Sequence, residues 1–310
     1  MARVAAIDIG TNTVLLCIAE QRGRSSVALL ELERITRLGE GVDETRVLSP
    51  VAVERTLAAL AEYAELVRTH ACSEIHAVGT SALRDARGGA EFLGSAERVL
   101  GTRPRVIRGD EEARLTFRGA LSGLDLTGPA LVFDVGGGST ELALGSAGAR
   151  NDVSACASLD IGSVRLFERH VATDPPTPSE LQRVRAAVRE ALAQLDFVCG
   201  NAALVGVAGT VVTLAKLHRM SEPCAERFDE TELHGATLTE DAIESTLARV
   251  SAMPLAARLG LAGLDPRRAD VIPVGAALVS EVVRWSGKRS LRVSTRGVRW
   301  GLVERALEQK

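Results

Sequence analysis

The sequence predicts an α/β protein with mixed sheets, built by internal duplication, and three observations carry that reading. An apolar strand, an Asp-x-Gly turn and a second apolar strand occur at residues 4–19 and again at 130–144. The two turn aspartates, Asp8 and Asp134, lie 126 residues apart (134 − 8), close to a domain length, as expected when one unit has been copied. Helical apolar spacing fills the intervals that follow, so strands come first and helices later in each half.

Composition sets the frame. A chain of 310 residues suits two domains of about 100–200 residues each. Apolar residues at 46% and charged residues at 25% exclude a disordered, collagenous or coiled-coil chain. Nine aromatic residues (6 Phe, 2 Trp, 1 Tyr) are too few for a base-stacking platform, so nucleic acid is not expected as a partner. With 37 basic and 40 acidic residues, net −3, a polyanion must be met by a local cluster of donors. Cys17, Cys72, Cys156, Cys199 and Cys224 form no CxxC pair, and no His pair has zinc spacing. An odd count without a framework fits reduced thiols in the cytoplasm. Arg3 and the apolar run ending at Cys17 mimic a lipoprotein signal, but Asp8 and Asn12 interrupt the run and Leu16 is too large before a processed cysteine. No stretch approaches the about 20 apolar residues of a membrane span. A soluble, cytoplasmic protein with no membrane partner is expected.

Residues 4–7 read as a buried strand, residues 8–13 break it, and residues 14–19 resume extended apolar structure. Ser49-Pro50 is a cap followed by a first-turn proline, with Val53, Leu57, Leu60, Ala64 and Val67 at helical spacing. Residues 75–78 form a strand ending in Gly79-Thr80-Ser81-Ala82-Leu83-Arg84, and residues 109–114 look like a helix start. Gly119, Gly123, Gly128 and Pro129 then interrupt the pattern, giving expected domains at 1–123 and 124–310. In the second half, residues 130–133 and 141–144 are strands around the turn at 134–140. Pro175, Pro176 and Pro178 mark a loop. Ser179 with Gln182 is the expected capping box of the next helix, and Leu181, Val184, Val188, Leu192 and Leu195 supply its stripe. Residues 207–210 form a third glycine turn, leading into a helix at 211–217.

Glycine lets main-chain N–H groups converge into an anion-binding nest, and neighbouring hydroxyls add donors. The candidate phosphate donors are therefore Gly10, Thr11, Asn12 and Thr13; Gly136, Gly137, Gly138, Ser139 and Thr140; and Gly209 and Thr210 at a helix start. No GxxxxGK[ST] is present, and alternating Leu142 and Leu144 follow Gly138 where a dinucleotide-binding turn would open a helix. Arg84 either forks onto phosphate oxygens or makes a surface salt bridge. Asp110, Glu111 and Glu112 either complement a helix N-terminus or raise one another's pKa so that one deprotonates a water. Asp134 and Glu141 flank the second turn and suit Mg²⁺, which often takes only one or two carboxylates, and Asp8 is placed for the same role. His70, His76, His170, His218 and His234 show no ligand or triad spacing.

Taken together, AAIDIGTNT (5–13), GTSALRDA (79–86), GDEEARLTFRG (109–119), FDVGGGSTEL (133–142), VAGTVVTLA (207–215) and STRGVRWGL (294–302) resemble the exopolyphosphatase / guanosine pentaphosphate phosphohydrolase (Ppx/GppA) family from end to end. The resemblance implies a duplicated actin-like, ribonuclease-H-like fold with two lobes around a cleft and a last helix, about 297–310, packed back on the first lobe. It implies Glu112 as catalytic base, Asp134 and Glu141 as metal-associated, Arg84 on phosphate, and a homodimer by analogy. Three departures stand out. Thr11 and Thr13 replace the usual serines, which narrows the pocket slightly. Trp300 replaces a usual Glu. The chain is also too short for the C-terminal helical domain of long members, so a preference for shorter polyphosphates is expected. The expected activity is Mg²⁺-assisted release of terminal orthophosphate from inorganic polyphosphate. The alternatives are a guanosine pentaphosphate 5′-phosphohydrolase, a sugar or acid kinase of the same fold, and a non-catalytic sensor of polyphosphate or guanosine tetraphosphate.

Overall fold

The computed structural model describes residues 3–23, 25–148, 152–221 and 229–308; Cys224 lies outside them. The chain divides into two compact units, Met1–Gly119 with Val298–Lys310, and Ala120–Gly297.

In the first unit, β1 (Arg3–Ile9), β2 (Thr13–Arg22) and β3 (Ser25–Ile35) form an antiparallel meander. β4 (Glu74–Gly79) joins β1 in parallel and β5 (Arg105–Val106) joins β4, giving the order β3-β2-β1-β4-β5. The continuous apolar run of β1 reflects a strand covered on both faces. Ala5, Ile7 and Ile9 enter one core with Leu60, Tyr63 and Phe92, from α2 (Pro50–Thr69) and α4 (Gly89–Leu100). Val4 and Ala6 point the other way, into a core with Leu115 of α5 (Gly109–Leu121) and Trp300 of α12 (Val298–Glu308). Asp8 shares the parity of Val4 and Ala6, so it ends β1 on the α5 and α12 face. β1 continues through Asp8 and Ile9, two residues past the expected break, because ladder pairing with β2 and β4 holds both. Ser49 caps α2 as expected, accepting from the Ala52 amide. The short helices α1 (Val42–Thr45) and α3 (Ser81–Asp85) complete the unit.

The second unit repeats the plan. β6 (Gly128–Val135), β7 (Thr140–Ala147) and β8 (Asp152–Leu159) form the meander; β9 (Ala203–Val207) pairs β6 in parallel and β11 (Ser290–Val293) pairs β9 in parallel. β10 (Thr237–Thr239) adds an antiparallel edge, giving β10-β11-β9-β6-β7-β8. Helices α6 (Ser163–His170), α7 (Pro178–Leu192), α8 (Ala208–Arg219), α9 (Glu240–Ala252), α10 (Leu255–Arg258) and α11 (Ile272–Ser286) surround the sheet. α11 is buried on nearly every side, as its largely apolar sequence requires, and packs on α6, α7, α8 and α9. The same meander followed by parallel strands in both units is the duplicated α/β arrangement that the sequence predicts. The expected cap at Ser179 is corrected: Thr177 is the N-cap and makes a full capping box with Glu180. Pro178 fills the first helical position, whose missing N–H costs nothing there, so the cap falls one residue before it.

Candidate active site

The second glycine turn is held from behind by the start of α6. The Gly136 carbonyl accepts from the Ser163 amide, the Gly137 carbonyl from the Val164 and Arg165 amides, and the Gly138 carbonyl from Arg165 Nε at 2.6 Å. In a trans peptide the C=O and the following N–H point in opposite directions. The amides of Gly137, Gly138 and Ser139 are therefore all directed away from α6, three consecutive donors on one side. That is the geometry of an anion nest. The hydroxyls behave otherwise than the sequence suggests. Ser139 Oγ donates to Glu141 and Thr140 Oγ1 donates to the Ile161 carbonyl, so both act within the protein and the turn's donors are its amides. Gly162 makes the fit possible, since a Cβ there would fall 2.3 Å from the Gly137 carbonyl oxygen.

Asp134 and Glu141 face each other across the β6–β7 hairpin. Directly opposed residues project to the same sheet face with Cβ atoms about 4.5–5.5 Å apart, so the two carboxylates stand side by side at the mouth of the turn. Glu141 is 2% exposed, and Ser139 and Ser158 each donate to its Oε1 at 2.7 Å. Ser158 is the β8 partner of Glu141 and was not singled out from sequence, because its relevance depends on strand register. Among the described residues no three His, Cys, Asp or Glu side chains gather as a closed metal cage. The chemistry of a carboxylate pair beside outward-facing amides fits Mg²⁺, which often takes only one or two protein carboxylates and keeps waters among its ligands.

The first turn, in the other unit, repeats this backbone. The Gly10 amide donates to the Thr13 carbonyl at 3.0 Å, as the Gly136 amide does to Ser139 at 3.0 Å. The Thr11 carbonyl accepts from Gly39, and the Asn12 carbonyl from Thr36 and Arg37, which directs the Asn12 and Thr13 amides the opposite way. The third element is a helix start, not a loop. α8 begins at Ala208, so Gly209 and Thr210 lie in its first turn. Ala208 has φ 71°, a left-handed conformation costing an L residue about 1–2 kcal/mol. Arg268 stacks on this helix start, and a Cβ at Gly209 would lie 2.4 Å from its guanidinium. Sequence reasoning passed over Arg268, which ends a short 3-10 helix, Pro266–Arg268, without a motif.

Glu112 lies in the first turn of α5 and is 8% exposed. Arg84, at the end of α3, donates through Nη1 to Glu112 Oε2 at 2.5 Å and to the Ile107 carbonyl at 3.1 Å. Both side chains are largely covered, so this is a built contact, unlike the surface salt bridge expected as one reading. The mutual repulsion expected among the three acids is quenched at two of them. The Arg108 guanidinium holds Asp110 down at about 2, and Arg105, with Arg305, lowers Glu111. Each acid of the cluster thus has a different arginine. α12 braces the helix that carries Glu112, for a Cβ at Gly301 would fall 2.1 Å from the Leu115 carbonyl oxygen.

Residues 17–310 match the model of the Ppx/GppA phosphatase family. The chain is 40% identical over 299 residues to exopolyphosphatase 2 of Mycobacterium tuberculosis, covering 92% of this chain and 91% of that protein. The chain belongs to the Ppx/GppA phosphatase family. Among solved structures, the Aquifex aeolicus Ppx/GppA member superposes with TM-score 0.82 at 33% identity, covering 100% of this chain and 99% of that one. An exopolyphosphatase from Cytophaga hutchinsonii gives TM-score 0.89 at 25% identity, covering 99% and 98%.

Two of this Ppx/GppA chain's sequence departures gain physical accounts. The extra methyl of Thr11 rests against Gly39, where a Cβ would come within 2.3 Å of it, so that methyl is taken up inside the unit. Trp300 is fully buried, and its indole N–H donates to Glu31 Oε1 at 2.8 Å. Arg299 pairs with the same oxygen at 2.8 Å. Position 300 is thus a packing anchor of α12. The described cysteines Cys17, Cys72, Cys156 and Cys199 carry thiols, and no helix among the described residues is long and apolar enough to cross a membrane.

Proposed function

We propose that the protein is an exopolyphosphatase that releases terminal orthophosphate from inorganic polyphosphate. The observation that carries this reading is the nest of three aligned amides beside the Asp134–Glu141 pair. Amides bind phosphate oxygens, each charge-assisted hydrogen bond contributing about 1.5–3 kcal/mol, and the paired carboxylates suit a cation that phosphate chains bring with them. The α8 start and Arg268, in the same unit, supply further donors. Glu112 takes a proton from the attacking water, and Arg84 fixes its carboxylate. Asp134 and Glu141 would hold Mg²⁺, which when bound neutralises charge developing on the leaving phosphate; Asp8, at the equivalent place in the first unit, is proposed as metal-associated in its own right. Positioning and electrostatics carry the rate, since a loose phosphoryl transition state asks for little covalent help. The M. tuberculosis relative's name, exopolyphosphatase 2, supports polyphosphate as substrate.

The test is phosphate release from long polyphosphate, short polyphosphate and guanosine pentaphosphate in parallel. Release from polyphosphate, faster from short chains, is expected. Release from guanosine pentaphosphate alone would move the assignment to that nucleotide. Binding without release would make the protein a sensor, and phosphoryl transfer to a sugar or acid would make it a kinase.

A further inference from the structure

A cavity of about 350 Å³ opens in the second unit between the C-terminal turns of α7 and α11. That volume lies in the range of small-molecule sites, about 300–1,000 Å³. Leu192 and Ala193 at the α7 end and Trp285 of α11 give it an apolar lining, and Arg189, Glu281 and Arg284 supply its polar groups. Phe197 holds the half-buried Trp285 ring edge-on, with ring centroids 6.3 Å apart. An indole fixed in this way is a rigid stacking face for a flat ring.

The polar groups select the charge of an occupant. Glu281 is 2% exposed, and its two oxygens accept from Arg185 at 2.7 Å and from Arg189 at 3.5 Å. Arg185 and Arg284 each pair with Glu244 at 3.0 Å. Glu240 pairs with Arg284 at 3.5 Å and with Arg289 at 2.8 Å. Four arginines in this network share three glutamates, an excess of one positive charge. Arg189 has capacity left: its side chain is 55% exposed, and its contact with Glu281 is long for a hydrogen bond and engages one of five N–H donors. A guanidinium beside an aromatic face matches a planar acid in both shape and charge.

We propose that this cavity binds a small planar aromatic acid, its ring against Trp285 and its acid group on Arg189. The site is separate from the phosphate nest. Gly275 of α11 adjoins Thr210 and Ser163, at the starts of α8 and α6, and Trp285 follows ten residues later (285 − 275), about 15 Å along the helix. The proposal does not depend on what the nest binds or whether the chain hydrolyses it.

The probes are anilinonaphthalene sulfonate, an aromatic acid, and phenylnaphthylamine, which has the same rings and no charge. Each is titrated by dye fluorescence, with thermal melts to check folding. Wild type should bind a single sulfonate dye per chain, and more tightly than the neutral dye. Arg189→Gln should weaken the sulfonate about tenfold, as expected for a charge-assisted hydrogen bond, and leave the neutral dye unchanged. Arg189→Lys should recover most of that affinity. Ala193→Phe, which places a ring at the mouth of the cavity, should weaken both dyes. Absence of sulfonate binding by wild type overturns the proposal, as does a wild-type Kd for the sulfonate in folded Arg189→Gln. Equal affinity of wild type for the two dyes would leave an apolar cavity with no preference for an acid, and overturns it too. A folded Ala193→Phe with both affinities unchanged would put the dyes elsewhere, with the same consequence.

Discussion

Adding one methyl at Gly162 should damage catalysis without touching any residue that meets substrate through a side chain. Gly162 has φ −133° and ψ 164°, ordinary extended backbone open to alanine, so conformational strain does not enter. The obstacle is contact: the methyl would stand 2.3 Å from the Gly137 oxygen, 2.4 Å from its carbonyl carbon and 2.5 Å from the Gly138 nitrogen. All three are backbone atoms of the nest, so no side-chain rotation relieves them. Reaching ordinary contact requires α6 and the turn to separate by about 1 Å, and overpacking of this kind costs about 1–3 kcal/mol. Groups misplaced by about 1 Å lower rates about 100-fold. Gly162→Ala should therefore lose about 100-fold in kcat/KM for polyphosphate, with a melting temperature lower by about 3–10 °C. Gly94→Ala in α4 is the control: its methyl meets nothing within 4 Å, and it should be as active as wild type and slightly more stable. The assay is orthophosphate release across substrate concentration, beside thermal melts. Gly162→Ala with kcat/KM within twofold of wild type would refute the nest as the phosphate anchor.

Ser158→Ala removes one of two hydroxyls on buried Glu141 and should weaken Mg²⁺ binding about tenfold by calorimetry; an unchanged affinity would detach Glu141 from the metal. Trp300→Phe leaves Glu31 without the indole N–H, and chemical denaturation should show about 1–3 kcal/mol lost with activity per folded molecule retained. The Thr173 hydroxyl and the Ala172 and Thr177 amides hold Glu180 down at about 2. A depressed carboxyl contributes stability above its unfolded value near 4.5 and loses it as pH falls toward 2. The urea midpoint of Glu180→Gln should accordingly lie below wild type at pH 7 and converge with it near pH 2; a constant gap would contradict the capping geometry.

The duplication was legible because each copy carries its Asp-x-Gly turn in the same place, and Asp8 and Asp134 are the next-to-last residues of equivalent central strands. The glycine turns were legible as sharp turns between paired strands, since glycine suits such tight backbone geometry. Which donors the turn offers was not. Ser139 and Thr140 look like phosphate ligands until their hydroxyls are found bonded to Glu141 and Ile161. The acidic cluster looked mutually repelling although Arg108 and Arg105, which hold Asp110 and Glu111, lie two and six residues away; the more distant partner of Glu111, Arg305, lies 194 residues away. The role of Trp300 had no local signal, because Glu31, which accepts from its indole, is 269 residues distant. Arg268 and Ser158 act through tertiary stacking and strand register, for which a single sequence carries no local signal. The cap at Thr177 was within reach, because Pro178 at the first helical position points to the residue before it.

The central claim is that this chain hydrolyses polyphosphate with Glu112 as the base for water. Orthophosphate release from polyphosphate with Mg²⁺, wild type beside Glu112→Gln, tests it most directly. Glutamine keeps the shape and a partner for Arg84 but cannot take the proton. The expected result is brisk release by wild type and a fall of about 10²- to 10⁴-fold in the variant, with tripolyphosphate binding preserved. Release that survives in Glu112→Gln would remove Glu112 from the chemistry, and no release from wild type would contradict the assignment itself.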